Sequence, residues 1–178
     1  LVEVEYKADH TSLVRLNEAQ RDHVQARSRY ASALAALHMQ QHQPEEAEKV
    51  FERAYELAPD SPMLVRSYAD FCAETKRADK GAKIVDAYVE KHPDKAEAYV
   101  IRGEFTAKVA SPEKAEPYFR KAAELTPDDP SPLILLGDRY AAVGRWGKAA
   151  EAYKEAVGRG KSSALARKRL ADVYMLQD

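Results

Sequence analysis

The chain has 178 residues, of which 45% are hydrophobic and 32% charged, and it contains only 7 Gly and 9 Pro. This composition is typical of a soluble, mostly helical protein and argues against a disordered chain or a disulfide scaffold. Its 28 basic and 29 acidic residues leave a formal net charge of -1, so there is no net positive field to attract nucleic acid or an anionic membrane.

The first 25 residues are predicted to form a partly helical extension. The prefix LVEVEYK alternates like a strand, but so short a strand has no partner in this chain. Residues 11–24 contain no Gly or Pro, so they either extend the following helix or form a separate one. The first residues, LVEVEYK, lack the charged-then-apolar profile of a signal peptide, and no apolar run approaches the roughly 20 residues needed to span a bilayer. Because the sequence starts at Leu1, we expect it to be a piece of a longer protein, and its compartment stays open.

The rest of the chain repeats with a period of 34 residues. Residues 42–60, HQPEEAEKVFERAYELAPD, align with residues 110–128, ASPEKAEPYFRKAAELTPD, two periods later. The same pattern recurs one period after each of these segments, at residues 77–94 and 145–161. One repeat position is therefore shared by Pro59, Pro93, Pro127 and Lys161. The sequence therefore predicts four units, at residues 26–60, 61–94, 95–128 and 129–161, followed by a half-unit cap at 162–178.

The repeating residues resemble the tetratricopeptide repeat family, which alternates small and large apolar residues on two helices. The fourth unit fits best, with Leu133, Leu136, Gly137, Tyr140, Ala149, Tyr153 and Ala156; the first has Ala31, Leu34, Ala35, His38, Ala47, Phe51, Ala54 and Pro59; the third has Tyr99, Arg102, Gly103, Thr106, Ala115, Phe119, Ala122 and Pro127. The resemblance implies an all-α, right-handed superhelical solenoid of antiparallel helix pairs. In the family, first helices line a concave groove and second helices lie on the convex side.

Two places depart from the family pattern. The second unit has a small residue at Gly81 and a large one at Tyr88 where the family has Ala, which we interpret as a volume swap at one helix crossing. Arg102 stands at a normally apolar position. We expect its stem to be packed and its head to reach solvent or an acid.

Local signals predict where the helices begin and end. Three Ser-Pro pairs each place a capping serine before a proline at the first helical position: Ser61-Pro62, Ser111-Pro112 and Ser131-Pro132. Pro117 lies inside a predicted helix and should bend it. Gly158 and Gly160 mark a break, after which residues 162–177 are predicted to form a single first helix with Leu170, Ala171 and Tyr174 facing inward.

An acid recurs at the ninth position of four successive first helices: Asp70, Glu104, Asp138 and Asp172. The resemblance implies that this position faces the concave groove, where carboxylates would favour a partner segment bearing Lys or Arg. Two structural interpretations compete. Asp can replace the Asn common at this position and bond to a neighbouring repeat, or Arg66 and Lys168 can neutralise Asp70 and Asp172 as pairs four residues apart.

By the same resemblance, the groove also presents a mixed set of residues: Arg29, Ser32, Met39, Met63, Arg66, Val100, Lys108, Ile134 and Ala141. Family members that hold the C-terminal carboxylate of a heat-shock protein use Lys, Asn and Arg residues in three repeats. The matching positions here carry Ser32, Ala36, Ser67, Glu97 and Ile101. That carboxylate clamp is therefore not expected.

Residues that often carry chemistry favour structural interpretations in this chain. His38 and His42 lie four apart, but a catalytic zinc needs three protein ligands, so we predict no metal. Trp146 and Cys72 stand at family packing positions. No phosphate loop, catalytic triad or paired-cysteine motif is present in the sequence. We therefore predict neither enzymatic activity nor a cofactor.

The sequence favours a scaffold that binds a peptide or protein segment in the concave groove, including a segment rich in Lys or Arg. A second hypothesis is self-assembly through the N-terminal segment and the apolar end helix, with Leu165, Val173, Met175 and Leu176. A third is the targeting part of a larger enzyme or secretion apparatus. Nucleic-acid binding and membrane insertion are not predicted.

Overall fold

The computed structural model describes residues 24–159 and 163–176, and every regular element in these ranges is an α-helix. Helix α1 covers residues 24–40 of the described part. The others are α2 (Pro44–Leu57), α3 (Pro62–Glu74), α4 (Ala78–Lys91), α5 (Ala96–Val109), α6 (Pro112–Leu125), α7 (Ser131–Ala142), α8 (Trp146–Val157) and α9 (Ala164–Met175). This confirms the predicted all-α fold. The predictions for residues 1–23 and for Gly160 lie outside the described residues, and the exact repeat boundaries stay predictions.

Serine caps two of the three predicted helix starts. The Leu64 amide donates to Ser61 Oγ at 3.4 Å, and the Lys114 amide donates to Ser111 Oγ at 3.4 Å. The third prediction is wrong, because Ser131 is already the first residue of α7 and its amide donates to Asp129 Oδ1 at 2.9 Å. The N-cap residue, Pro130, has no side-chain cap bond, and the Asp129 carboxylate satisfies the first amide of the helix instead.

The described residues divide into two compact units that are larger than single repeats: the first unit ends at Tyr68 and the second unit begins at Ala69, within α3. From here on, "first unit" and "second unit" refer to these two parts and not to repeats. In the first unit, small residues at the predicted repeat positions, such as Ala35 and Ala47, are buried. The Phe51 ring stacks on that of Tyr68, with centroids 5.2 Å apart. Small and large apolar residues thus fill this core as the repeat pattern predicts.

In the second unit, α4 to α9 pack successively, each on the next, and α7 also contacts α9. Their core includes Phe119, Leu133, Leu136 and Tyr153, all at most 1% exposed. A Cβ on Gly103 would lie 3.0 Å from the Phe119 ring, so a glycine here lets the paired helices approach closely. This small-against-large contact within each helix pair is the packing that the repeat pattern predicts.

The departure at Gly81 also has a packing cause. A Cβ on Gly81 would lie 2.5 Å from the Phe105 ring and 3.0 Å from Cys72 Cβ. Phe105 comes from the first helix of the following repeat, so the missing side chain makes room for a ring from a neighbouring unit. Tyr88 is buried and tilts against His92, with ring centroids 4.6 Å apart. Volume is therefore redistributed at this crossing rather than lost.

Arg102 confirms the expectation of a packed stem and a paired head. Its side chain is only 15% exposed, and Nε lies 2.7 Å from Asp86 Oδ1. A guanidinium nitrogen also donates to Thr106 Oγ1 at 3.0 Å, and the guanidinium carbon lies 5.1 Å from the centroid of the Tyr118 ring. An acid and an aromatic face together accommodate the charge at a position that is apolar in the family.

Helix α6 runs unbroken from Pro112 to Leu125 with Pro117 inside it, and the bend expected at Pro117 stays a prediction. Proline at this position removes only the amide that would reach the carbonyl of Glu113, one turn earlier, and its ring is exposed. The repeat predicted at residues 95–128 therefore keeps α6 as a full-length second helix.

The cap helix α9 buries a different face from the one predicted. Ala166 and Val173 are buried and Leu170 is partly buried against the core, whereas Ala171 and Tyr174 are exposed. Ala171 occupies the repeat position of Gly103 and Gly137, which lie under an aromatic ring of the second helix of their own repeat. No second helix follows α9 in the described residues, so this face stays open. Burial of Val173 also removes it from the apolar surface assigned to self-assembly.

Candidate peptide-binding face

The four recurring acids all lie in the second unit, one on each first helix. Asp70 is on α3, Glu104 on α5, Asp138 on α7 and Asp172 on α9, and each is partly exposed. We call these four residues the acidic column. Their repeat position places one carboxylate on every first helix of this unit, as the 34-residue spacing requires.

Asp70 is paired with a lysine of the next first helix. Lys108 Nζ, on α5, donates to Asp70 Oδ1 at 3.1 Å and to Glu74 Oε1 at 2.9 Å. Although partial burial opposes it, hydrogen bonding to Glu74 and Asp70 raises the pKa of Lys108 above its usual value. Two carboxylates on α3 therefore hold one ammonium group.

Asp138 has a structural role as well as a charge. It accepts a hydrogen bond from the Tyr153 hydroxyl at 2.6 Å, and Arg169 Nε lies 3.2 Å from the same carboxylate oxygen. Burial and the bond to Asp138 together raise the pKa of Tyr153. The structural interpretation of the acid, as a bond to a neighbouring repeat, therefore holds for Asp138 through Arg169 of α9, whereas Tyr153 belongs to the same repeat as Asp138.

Asp172 lies near the end of α9 and is partly exposed. Within the described ranges, the structure forms no ion pair between Asp172 and Lys168. The interpretation that Lys168 neutralises Asp172 within the same helix is therefore not supported.

The other predicted groove residues are distributed unevenly. Met63 and Arg66 are partly buried on α3 in the first unit, and Val100 is partly buried on α5. Ile134 is only 6% exposed and belongs to the core of the second unit, so it offers almost no surface to a ligand. Lys108 contacts the acidic column directly, with Nζ 3.1 Å from Asp70 Oδ1.

Three residues beside the acidic column were not predicted from the sequence: Glu74, which shares Lys108 with Asp70, and Tyr153 and Arg169, which contact Asp138. Glu74 and Lys108 are 34 residues apart, so the repeat period itself could have paired them. Tyr153 and Arg169 carry no such signal, because their separations from Asp138 do not match the period. Those contacts depend on how α7, α8 and α9 pack.

The residues weighed for chemistry occupy structural positions. His38 Nδ1 lies 3.0 Å from Gln43 Oε1, and His42 has a left-handed backbone at the turn after α1. Cys72 is a buried free thiol, and Trp146 packs against the core of the second unit. Within the described ranges, no three His, Cys, Asp or Glu side chains are grouped so that they could hold a metal ion.

None of the helices in the described ranges combines the length and apolar character that crossing a bilayer requires.

Three family models, each described as a tetratricopeptide repeat, match the chain at residues 38–101, 96–129 and 134–178. No curated protein matches the sequence. Among solved structures, a thermophilic tetratricopeptide protein of Thermus thermophilus is 18% identical with a TM-score of 0.55, covering 84% of this chain and 82% of that one. A structure of MamA is 16% identical with a TM-score of 0.52, covering 80% and 84%. These structures share the fold.

Proposed function

Because the chain belongs to the tetratricopeptide repeat family, whose members serve as protein-interaction scaffolds, we propose that its acidic column binds a partner segment bearing Lys or Arg. The observation that carries this proposal is the ammonium of Lys108, held by Asp70 and Glu74 at 3.1 and 2.9 Å. A lysine of a partner presents the same chemical group to this face. Charge-assisted hydrogen bonds of this kind combine attraction with direction.

The intramolecular pairs do not prevent such binding. The Lys108, Asp70 and Glu74 side chains are 38%, 49% and 60% exposed. Exposed ion pairs contribute about 0.2 to 1 kcal/mol each, so a ligand ammonium can displace Lys108 at little cost. Asp172 has no such competitor among the described residues, and it supplies a second carboxylate to the face.

We expect Asp70→Asn combined with Asp172→Asn to weaken binding of a fluorescent peptide of alternating Lys and Ala by about 2- to 30-fold at low salt. Asparagine preserves size and removes the charge that attracts lysine. Fluorescence anisotropy with the full chain measures the affinity, and added salt should reduce the difference. Asp138 is left intact because Tyr153 depends on it.

The matched control for this pair is Asp94→Asn with Asp128→Asn. Both residues are exposed, lie between helices and change the net charge equally. Equal weakening by the two double variants, or equal binding of a peptide in which Glu replaces Lys, would contradict a role for the acidic column.

A second expected result concerns Lys108. Lys108→Gln keeps most of the side-chain stem but removes the ammonium that occupies Asp70 and Glu74. Affinity for the same Lys peptide should therefore rise by about 2- to 5-fold. Lys114→Gln, at an exposed position on α6, changes the net charge identically and should have no specific effect. A fall in affinity for Lys108→Gln would show that Lys108 does not compete with the ligand.

A further inference from the structure

The first unit contains an open apolar groove of about 700 Å³, lined by α1, α2 and the start of α3. We call it the α1–α2 groove. Leu34, Val50 and Ala54 contribute apolar surface to it, and Tyr30 and Leu57 also line it while remaining 69% and 58% exposed. Large apolar side chains this exposed around one concave surface are typical of an interaction site.

The matching positions in later repeats indicate what kind of element covers a surface like this groove. Tyr30 is one, two and four repeat periods before Leu64, Ala98 and Ala166, and each of these three is 0% exposed. Leu57 is three periods before Arg159, which donates to the carbonyl oxygen of Ala123 in the preceding repeat. The positions of Tyr30 and Leu57 are therefore those at which a repeat is covered by the helices that precede it.

The Phe105 ring shows how close that covering contact is. Phe105 lies on the same helix face as Ala98, two turns later, and its ring occupies the space beside Gly81 of the preceding repeat. The surface around Tyr30 is thus shaped to accept a helix, and apolar anchors at helical spacing fit an open groove between two helices.

The charged residues around the groove indicate which charge a ligand should carry at its margins. Three basic residues line it, Arg27, Lys49 and Arg53, against one acid, Glu46. Glu46 Oε1 is already held by Lys49 Nζ at 2.7 Å. Arg27 and Arg53 form no ion pair with any residue in the described ranges. Two unpaired guanidinium groups beside an apolar surface favour carboxylates at the margins of a ligand.

We propose that the α1–α2 groove binds an amphipathic α-helix of a partner protein that has leucine-type side chains along one face and Asp or Glu at its margins. This site is independent of the acidic column: it lies in the first unit and prefers the opposite charge. Helix α9 of a second copy fits it poorly, since Arg167, Lys168 and Arg169 would meet Arg27 and Arg53.

The test uses the full chain and a lactam-stapled helical peptide of 14 residues, the length of α2, with Leu along one face and Glu at the margins. A second peptide has Lys in place of each Glu. We expect the Glu peptide to bind measurably in fluorescence anisotropy and the Lys peptide to bind at least about fivefold more weakly.

Two pairs of variants locate the binding. Arg27→Glu with Arg53→Glu should weaken the Glu peptide at least about fivefold, whereas Lys83→Glu with Lys114→Glu, an equal charge change at exposed positions, should not. Leu57→Gln should weaken it about tenfold because an apolar contact is lost. Val143→Gln is its control, since Val143 is 56% exposed on another helix end.

Three results would overturn the proposal. One is equal binding of the Glu and Lys peptides. Another is unchanged affinity in the Arg27 and Arg53 double variant. The third is concentration-dependent sedimentation of the wild-type chain that Leu57→Gln abolishes, without peptide binding, because a second copy would then occupy the groove. Asp70→Asn with Asp172→Asn should leave Glu-peptide binding unchanged, so failure of the acidic column is distinguishable from failure here.

Discussion

Replacing Phe119 with alanine is expected to lower the free energy of unfolding by about 3 to 5 kcal/mol, the largest effect among the variants considered. Phe119 is fully buried on α6, in the core that also contains Ala115, Leu133 and Leu136. Removing the ring loses its transfer free energy and leaves a cavity. The cavity cannot readily collapse, because the residue under the ring is Gly103, which has no side chain to move into the space.

Urea denaturation followed by far-UV circular dichroism measures this change. Tyr174→Ala is the control, since it truncates an aromatic residue that is 43% exposed and should cost less than about 1 kcal/mol. Because each repeat is stabilised largely by its neighbours, the loss should appear as an earlier or broader transition. A midpoint for Phe119→Ala equal to that of Tyr174→Ala would contradict the assignment of Phe119 to the core.

Gly137→Val is expected to destabilise the chain by about 1 to 3 kcal/mol through overpacking. A Cβ on Gly137 would lie 2.6 Å from Cδ1 and 2.8 Å from Cζ of Tyr153. The ring cannot easily move aside, because it is 1% exposed and its hydroxyl is bonded to Asp138 at 2.6 Å. The small gain in helix propensity over glycine, a few tenths of a kcal/mol, does not offset this strain.

Gly147→Val is the matched control for that variant. Gly147 also lies in a helix, α8, but nothing stands within 4 Å of where its Cβ would be. Its unfolding free energy should stay within about 0.5 kcal/mol of the wild type. If both valine variants unfolded at the same urea concentration, the close approach of α7 and α8 at Gly137 would not be limiting. Tyr153→Phe in the Gly137→Val background should recover part of the loss by freeing the ring.

Local sequence signals predicted the helices well where one residue decides the outcome. Ser61 and Ser111 accept the amide bonds that a capping serine is expected to accept. The prediction failed at Ser131 because α7 begins one residue earlier than the Ser-Pro pair indicates, and the Asp129 carboxylate accepts the Ser131 amide bond instead. A Ser-Pro pair alone does not determine the residue at which the helix begins.

The face of α9 was mispredicted for a different reason. The repeat pattern assigns Ala171 an inward position, and that position is buried only when a second helix of the same repeat lies over it. Gly103 and Gly137 have such a helix, whereas α9 is followed by none in the described residues. A sequence position fixes which face a residue lies on, but burial also requires a partner for that face.

The sequence by itself determined the repeat fold and the acid on four successive first helices, because both follow from a 34-residue period whose contacts lie within a repeat or between neighbours. Only the tertiary structure decided how the carboxylates of Asp70 and Asp138 are used. Lys108 bridges Asp70 and Glu74, and Asp138 supports Tyr153. The tertiary structure also shows that Tyr30 and Leu57 are exposed. The physical reason is that a repeat specifies its own two faces, whereas the side chains that meet them come from other helices.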